Sequence, residues 1–335
     1  MKKPLGEVQA KPFERSLLRN LLMEQKHKKY ESLIARCQAL APVPTAVAHP
    51  CDETSLKGAV EAAELGILKP ILVGPRAKIE ATAAQFQIDI TGYEIVDAPH
   101  SHAAADLAVQ LAREGKAEML MKGSLHTDEL MGAVVRTGTG LRTERRISHA
   151  FIMDVPALDR AIIVTDAAIN IFPTLEDKQH IIQNAIDLAA ALGFYQPKVA
   201  VLSAMETINP KVPSTVEAAA LCKMADRGQI TGGILDGPLA LDNAINLNAA
   251  KIKHIDSPVA GHADILVVPD LEAGNMLAKS LTFMADADAA GIVLGARVPI
   301  ILTSRADSVT TRLASCAVAA LVAQARREDV KKAVA

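Results

Sequence analysis

Two groups of polar residues near the carboxyl end of the chain have the types needed to bind an anionic substrate. Residues 270–279 follow the apolar run 265–268, and residues 303–307, which read Thr-Ser-Arg-Ala-Asp, follow the apolar run 299–302. In open α/β sheets, ligands bind outside the carboxyl ends of the strands, on loops that a rigid scaffold holds in place. The spacing therefore predicts a binding site at these two strand ends, although ordinary solvated turns would give the same pattern.

The turn at residues 122–127, which reads Lys-Gly-Ser-Leu-His-Thr, is a third candidate. It ends a predicted strand and opens a predicted helix over residues 128–135. Lys122 and the free amides at the helix N-terminus could hold an anion, because the helix dipole and unpaired N–H groups both favour negative charge. The turn lacks the GxxxxGK[ST] spacing of a P-loop, and no GxGxxG dinucleotide fingerprint occurs. A plain turn is the alternative interpretation.

A glycine-rich basic loop is predicted at residues 138–146. Arg142 has the side chain for a forked, two-bond contact with phosphate, which lysine cannot make. The alternative is that Arg142, Arg145 and Arg146 only solvate an exposed loop.

Carboxylates also stand at predicted strand ends. Asp166 and Asn170 are four residues apart after one strand, and Glu272 and Asp307 follow two others. Their spacing alone proves no catalytic pair.

Three histidines are candidates for functional groups. His100 and His102 would share a face on a strand, but no third ligand is near and a helix begins there, so a structural role is favoured. His126 lies in the 122–127 turn and is better placed for chemistry. The chain has no HExxH motif, Gly-x-Ser-x-Gly elbow or Cys–His signature, so no metal site is predicted.

The elements that position these residues alternate between short apolar runs and amphipathic helical patterns, which is typical of parallel βαβ units and predicts an α/β fold. Ser214, with Glu217 three residues later, predicts a capping box at a helix start. The predicted strands are 45–48, 70–73, 93–96, 117–121, 147–155, 160–165, 198–203, 229–235, 265–268, 292–294 and 299–302. The predicted helices are 53–65, 103–113, 128–135, 176–192, 214–226, a segment with Met276, Leu277 and Leu281 at helical spacing, and 308–325.

The pattern changes near residue 147, where two adjacent strands suggest an antiparallel element. We place a domain boundary there and expect the chain to return to the first domain near residue 295. The predicted division is an N-terminal extension over 1–41, a first domain of 42–147 with 296–335, and a second domain of 148–295. The extension is basic and predicts a packing helix preceded by a tail, with a membrane-surface helix as the alternative.

Composition excludes several classes of protein. The 335 residues suffice for a large core, and a formal net charge of −2 with 3% aromatic residues argues against nucleic-acid binding. Four scattered cysteines form no CxxC pair, which favours a reducing compartment. No apolar run approaches the length of a membrane span, and no signal-peptide core is evident. These features predict a soluble, cytoplasmic protein.

The sequence resembles the phosphate acetyltransferases and phosphate butyryltransferases from about residue 44 to residue 325. The blocks that carry the resemblance occur in the same order as in that family, and stretches such as Asp-Arg-Gly-Gln-Ile and Leu-Thr-Ser-Arg-Ala-Asp-Ser look most like the butyryltransferase branch. These blocks are 121–127, 140–149, 165–170, 208–215, 224–230, 236–242, 272–279 and 302–308.

The resemblance implies reversible transfer of an acyl group between coenzyme A and inorganic phosphate. It implies two doubly wound α/β domains with a cleft between them, related to isocitrate and isopropylmalate dehydrogenases. It also implies coenzyme A and phosphate as substrates, no metal or other cofactor, and a homodimer or higher homo-oligomer.

The same resemblance assigns roles to individual residues. Arg305 would bind phosphate, and Ser304 would donate a hydrogen bond to the acyl carbonyl oxygen or the coenzyme A sulfur. Asn275 and Lys279, one helical turn apart, would face the same cleft. The remaining cleft residues implied are Lys122, Gly123, Thr127, Arg142, Asp166 and Asn170.

One position departs from the family pattern. Acetyltransferases of the family have an aspartate seven residues after the motif serine, proposed as the base that deprotonates coenzyme A, and this chain has Thr311 there. Asp307 is near in sequence and is a candidate catalytic group. We expect direct attack in a ternary complex with no covalent enzyme intermediate. A dehydrogenase of the related fold and a catalytically silent regulatory relative are the alternative functions.

Overall fold

The computed structural model describes residues 28–302 and 308–334, which form eleven strands and eleven helices. The strands are β1 (Val43–Ala48), β2 (Leu68–Gly74), β3 (Glu94–Asp97), β4 (Met119–Lys122), β5 (Ser148–Asp154), β6 (Ile162–Thr165), β7 (Lys198–Leu202), β8 (Ile234–Leu239), β9 (Ile265–Val267), β10 (Asp288–Leu294) and β11 (Ile300–Ile301). The helices are α1 (Lys28–Gln38), α2 (Glu53–Glu64), α3 (Arg76–Phe86), α4 (Ser101–Arg113), α5 (Thr127–Val135), α6 (Leu175–Ala191), α7 (Pro213–Asp226), α8 (Leu241–Ile245), α9 (Leu247–Ile252), α10 (Leu271–Met284) and α11 (Val309–Val334).

All eleven strands form one sheet in the order β3-β2-β1-β4-β11-β10-β5-β6-β9-β7-β8. The first five strands of that order are parallel to one another, and β6, β9, β7 and β8 are parallel in the opposite direction. Antiparallel pairs at β11–β10, β10–β5 and β5–β6 join the two halves. The predicted α/β class with parallel βαβ units is confirmed, as is the antiparallel pairing of β5 and β6.

The sheet has two unlike faces, which we call the continuous face and the divided face. A single apolar core covers the continuous face from β2 to β7, with side chains from α1, α2, α3, α6, α7 and α11. The divided face carries two separate cores. One lies under α4 and α5, and the other lies under α8, α9 and α10. The division falls over the antiparallel strands in the middle of the sheet.

Side chains alternate between the two faces along each central strand, and this alternation determines which of them point to the divided face. Met121, Ile301, Ile292 and Ala150 all point into the continuous core. Because successive side chains of a strand point to opposite faces, the residues next to these four point to the divided face. They are Lys122 on β4, Leu302 after β11, Gly291 on β10, and His149 and Phe151 on β5.

Helix α1 packs into the continuous core although it lies within the predicted N-terminal extension. Tyr30 is fully buried, and its hydroxyl accepts the Ala290 N–H at 2.7 Å and lies 2.9 Å from the Asp288 carbonyl oxygen. Lys29 forms an ion pair with the buried Asp154 at 2.6 Å. These contacts tie α1 to β10 and β5, so residues 28–38 belong to the packed body. The domain boundaries stay predictions.

The strand predicted over residues 229–235 is wrong. Strand β8 runs Ile234–Leu239 and includes Asp236, Gly237 and Pro238, which lie beyond the end of the predicted strand. Proline has no N–H and is tolerated in a sheet mainly on edge strands, and β8 is one of the two edge strands of this sheet. A Cβ atom at Gly237 would lie 2.7 Å from the Val201 carbonyl oxygen, so glycine is needed there.

The predicted capping box at Ser214 is also wrong. Helix α7 begins one residue earlier, at Pro213, whose fixed φ suits the first helical position. The Ser214 hydroxyl instead lies 2.9 Å from the Ser203 hydroxyl, and the Glu217 carboxylate pairs with the buried Lys178.

Candidate active site

The turn after β4 is held against the end of β1. The Gly123 N–H donates to the Ala48 carbonyl oxygen at 2.9 Å, and the Ser124 hydroxyl donates to the His49 carbonyl oxygen at 2.8 Å. A Cβ atom at Gly123 would lie 2.3 Å from that Ala48 oxygen, so no other residue fits without movement. This close approach fixes the direction in which Lys122 leaves the sheet.

Helix α5 begins at Thr127, the last residue of this turn, and Thr127 is exposed. The His126 N–H donates to the Glu129 carboxylate at 2.7 Å, so His126 has a structural role at the helix start. The same carboxylate accepts the Ser101 hydroxyl at 2.6 Å, and that hydrogen bond is the largest cause of the lowered pKa of Glu129. The 122–127 turn is therefore anchored on both sides, with Lys122 and Thr127 at its two ends.

Asp166 is the centre of a buried hydrogen-bond network after β6. Its side chain is 3% exposed. One carboxylate oxygen accepts the N–H groups of Ala168 at 2.9 Å and Ile169 at 3.0 Å. The other accepts the His149 N–H at 3.1 Å and the Asn170 side-chain amide at 2.6 Å. A carboxylate with this many donors is held as a fixed acceptor.

The side chain of Asn170 connects the Asp166 network to the basic loop that follows α5. Its amide nitrogen donates to the Ile147 carbonyl oxygen at 2.9 Å, and its amide oxygen accepts Arg146 Nε at 2.8 Å. Arg146 also lies 3.5 Å from Asp177 at the start of α6. Arg142, the arginine chosen from the sequence, is exposed and forms a β-bridge with Ala296 instead. Arg146 is thus the loop arginine that reaches the Asp166 network, and nothing in its spacing distinguished it.

Helix α10 packs directly on the turn that contains Asp166. A Cβ atom at Gly274 would lie 2.9 Å from the Asp166 carbonyl oxygen, so this glycine allows the close packing. The Asn275 side-chain amide is 3.4 Å from the Ala167 carbonyl oxygen, and Lys279 follows one turn later with an exposed side chain. The structure therefore brings Asp166, Asn170 and Asn275 together.

Thr311 lies at the start of α11 and is 4% exposed. Its hydroxyl is 3.2 Å from the Asp288 carboxylate on β10 and 3.0 Å from the Ser308 hydroxyl. A carboxylate therefore stands beside the position where the family's acetyltransferases have aspartate. Sequence reasoning missed Asp288 because it is 23 residues away along the chain.

The predicted catalytic residues Ser304, Arg305 and Asp307 lie outside the described residues. Leu302 and Ser308 flank them, and the side chain of Leu302 packs with the divided-face core under α4 and α5.

His100 and His102 have structural roles. His100 Nδ1 accepts the Ala103 N–H at 3.2 Å at the start of α4, and His102 Nδ1 is 2.9 Å from Glu129. Residues 28–302 and 308–334 contain no group of three His, Cys, Asp or Glu side chains arranged to hold a metal ion. Over the same residues, no helix is both long and apolar enough to cross a bilayer.

Comparison with known proteins gives a consistent result. Residues 100–320 match the family model described as phosphate acetyl/butaryl transferase. The chain is 69% identical over 299 residues to a phosphate acetyltransferase of Rhizobium meliloti, covering 89% of this chain and 95% of the relative. It is 42% identical to a phosphate butyryltransferase of Clostridium acetobutylicum, covering 88% and 98% of the two chains.

Solved structures agree with the sequence comparison. A branched-chain phosphotransacylase from Enterococcus faecalis V583 superposes with a TM-score of 0.74 at 30% identity, covering 84% of this chain and 99% of that one. A 4-hydroxythreonine-4-phosphate dehydrogenase from Klebsiella pneumoniae has a TM-score of 0.50 at 12% identity, covering 85% of this chain and 100% of that one. The second likeness concerns the fold alone, and it agrees with the predicted dehydrogenase-like architecture.

Proposed function

We propose that this chain, which belongs to the phosphate acetyl/butyryl transferase family, catalyses the reversible reaction of acyl-CoA with inorganic phosphate to give acyl phosphate and coenzyme A. The observation that carries the proposal is the 69% identity to a named phosphate acetyltransferase over 95% of its length. The family match over residues 100–320 covers most of the described site.

Acyl transfer needs cations and hydrogen-bond donors aimed at oxygens, because phosphate and the tetrahedral intermediate are both anionic. We assign phosphate binding to Arg305, with Lys122 as a second cation. We assign to Ser304 a hydrogen bond to the acyl carbonyl oxygen or the coenzyme A sulfur. The shared orientation of Lys122 and Leu302 toward the divided face supports this assignment, since Leu302 immediately precedes the 303–307 segment.

Asp166 and Asn170 have a positioning role in this proposal. Their side-chain polar atoms are already bonded to protein groups, so they hold the strand end and Arg146 in place. Asn275 and Lys279 on α10, together with Thr127 and Arg142 on the other side of the division, are the proposed contacts to the larger substrate.

Direct attack of the coenzyme A thiol on acyl phosphate, within a ternary complex, is the proposed mechanism. Thr311 does not supply a carboxylate, but its contact with Asp288 supports a role for that carboxylate at the same place. Incubation with radiolabelled acetyl phosphate in the absence of coenzyme A should leave no label on denatured protein. A stable acyl-enzyme would contradict direct attack.

Acetyl is the proposed acyl group, with butyryl as the alternative. The 69% identical relative is named an acetyltransferase and the 42% identical one a butyryltransferase.

A homodimer is the proposed assembly. Helix α10 exposes Met276, Phe283 and Met284, and the neighbouring loop exposes Ile171 and Phe172. Large exposed apolar side chains grouped on one helix and its neighbouring loop support an association site there. Light scattering should give the mass of a dimer, and Phe283→Glu should shift it toward the monomer.

A cytoplasmic location and the absence of any cofactor complete the proposal. The four cysteines at positions 37, 51, 222 and 316 are all unpaired, as expected in a reducing compartment. The two-domain division at residues 147 and 295 is also proposed, on the ground that the divided face has separate cores.

Phosphate-dependent release of free thiol tests the function most directly. The assay compares acetyl-, propionyl- and butyryl-CoA in the presence and absence of phosphate, and the ratio of kcat/KM gives the acyl preference. Turnover that requires phosphate is expected. No turnover with any of the three by folded protein would favour a catalytically silent relative instead.

A further inference from the structure

We propose that His149 is a hydrogen-bond donor of the acyl-transfer site, and that its imidazole N–H contacts the acyl carbonyl oxygen as negative charge develops there. The inference rests on the proposed function and adds to it a residue from the central strand β5. Three observations support it: the position of the ring, the space beside Gly291 that accommodates it, and a ring nitrogen with no partner in the described part of the chain.

The first observation is the position of His149. Its neighbour Ala150 belongs to the continuous core, so His149 points to the divided face, at the place where that face has no continuous core of its own. The residue is 1% exposed, and its main-chain N–H is fixed by the Asp166 carboxylate at 3.1 Å. The ring packs against the Phe151 ring with 4.3 Å between centroids.

The second observation is the space beside Gly291. A Cβ atom at Gly291 would lie 3.1 Å from His149 Nε2 and 2.9 Å from the Leu302 carbonyl oxygen. The imidazole therefore leans from β5 across β10, toward the last residue before the 303–307 segment. A side chain at position 291 would displace either the ring or that strand end.

The third observation is the state of the ring. His149 Nδ1 is buried and has no hydrogen-bond partner among the described residues. Burial lowers the pKa of His149 and the nearby Asp166 carboxylate only partly opposes this, so the ring is neutral at physiological pH. The proposal places the single proton of the neutral ring on Nε2, the nitrogen beside Gly291, and leaves Nδ1 as a buried acceptor.

A neutral imidazole in this place suits a specific step. The coenzyme A sulfur attacks the carbonyl carbon of acyl phosphate and a C–S bond forms, while the carbonyl oxygen takes the electron pair. The C–O bond to phosphate then breaks, the phosphate leaves with its electron pair, and the thiol proton ends on the released phosphate. A donor to the carbonyl oxygen stabilises the charged intermediate in both directions and needs no proton transfer of its own.

The test compares His149→Leu with His149→Gln, which keeps a side-chain N–H donor. Removing one donor to a developing oxyanion lowers kcat by about 10²–10³-fold in other enzymes, and we expect that loss for His149→Leu with roughly unchanged KM values. His149→Gln should retain kcat within about tenfold of the wild type. The thermal midpoint of His149→Leu should not fall, because leucine removes a buried nitrogen that has no hydrogen-bond partner among the described residues. His262→Leu, an exposed histidine, is the matched control and should leave kcat unchanged.

Several outcomes would overturn the inference. A His149→Leu enzyme with wild-type kcat would remove His149 from the reaction. A His149→Gln enzyme as inactive as His149→Leu would also reject a donor role. If His149→Leu does not fold, Gly291→Ala replaces it, and unchanged kcat in that variant would reject the proposal. Wild-type protein without phosphate-dependent turnover would reject the proposed function itself, which separates that failure from failure of the inference.

Discussion

The two faces of the sheet are built differently although the same eleven strands form both. The continuous face has one core that reaches from β2 to β7 and is covered by α11 and five other helices. The divided face has two cores, and the residues between them include a lysine, a histidine and a glycine. These residues are polar or small, and neither of the two apolar cores of the divided face includes them. Under the proposed function, the continuous face supplies stability and the divided face supplies chemistry.

Arg305→Ala gives the sharpest test of that separation. We expect kcat to fall by about 10³-fold while the thermal midpoint changes little, because a substrate-binding cation adds little to the folded core. Arg227→Ala, at an exposed arginine after α7, is the control. Equal losses of activity and stability in Arg305→Ala would make that arginine a structural residue.

Ile182→Ala tests the continuous face. Ile182 is fully buried in α6, and truncating a buried isoleucine to alanine costs about 2–5 kcal/mol of unfolding free energy. Urea unfolding should show that loss, while kcat of the folded enzyme at low temperature should stay near the wild-type value. Ile252→Ala, at a site 77% exposed, should cost under about 0.5 kcal/mol. A kcat loss in Ile182→Ala as large as that of Arg305→Ala would contradict the separation of roles.

Gly123→Ala and Gly132→Ala should change the free energy of unfolding in opposite directions. A methyl group at Gly123 would overlap the Ala48 carbonyl oxygen, and such overpacking costs about 1–3 kcal/mol. Gly132 lies inside α5 with open space for a methyl group, so alanine should stabilise the helix by about 0.5–1 kcal/mol. Only Gly123→Ala should lower kcat, because it moves Lys122. Unfolding curves and kcat for the pair check both statements.

The pH dependence of stability should show the effect of the buried His149 on the divided face. An unfolded histidine takes up a proton near pH 6.5, whereas burial lowers the pKa of folded His149 below that value. The unfolded state therefore binds more protons as the pH falls below about 6.5, and stability drops with a slope of at most about 1.4 kcal/mol per pH unit. The slope between pH 6.5 and 5 should be smaller in His149→Leu than in the wild type. An unchanged slope would assign it to other groups.

The sequence was sufficient to predict most of the framework. Apolar runs such as 70–73 and 198–203 correspond to β2 and β7, because strands buried on both faces read as short hydrophobic runs. The same reasoning failed at β8, where Asp-Gly-Pro indicates a turn unless the strand is known to lie at a sheet edge. Edge position depends on strand order, and strand order is not a local property.

The candidate site was predicted less completely than the framework. Asp166, Asn170 and Asn275 were chosen from the sequence and do come together, although the first two bond to the protein itself. Arg146 and Asp288 were not chosen, because each meets its partners through contacts between segments distant along the chain. His149 lies in the 140–149 block that resembles the family. Its proposed role depends on the space beside Gly291, which is 142 residues away and on another strand.

The position of β11 between β4 and β10 has a consequence for protein synthesis. Strand β4 is complete at residue 122, but its partner on that side is translated about 180 residues later. At roughly 5–20 residues per second, the open edge of the first half of the sheet waits about 9–36 s on the ribosome. Open strand edges invite pairing with other chains. The short strand β11 covers this edge of β4 in the folded chain, so the edge is protected only once the last part of the sheet has been made.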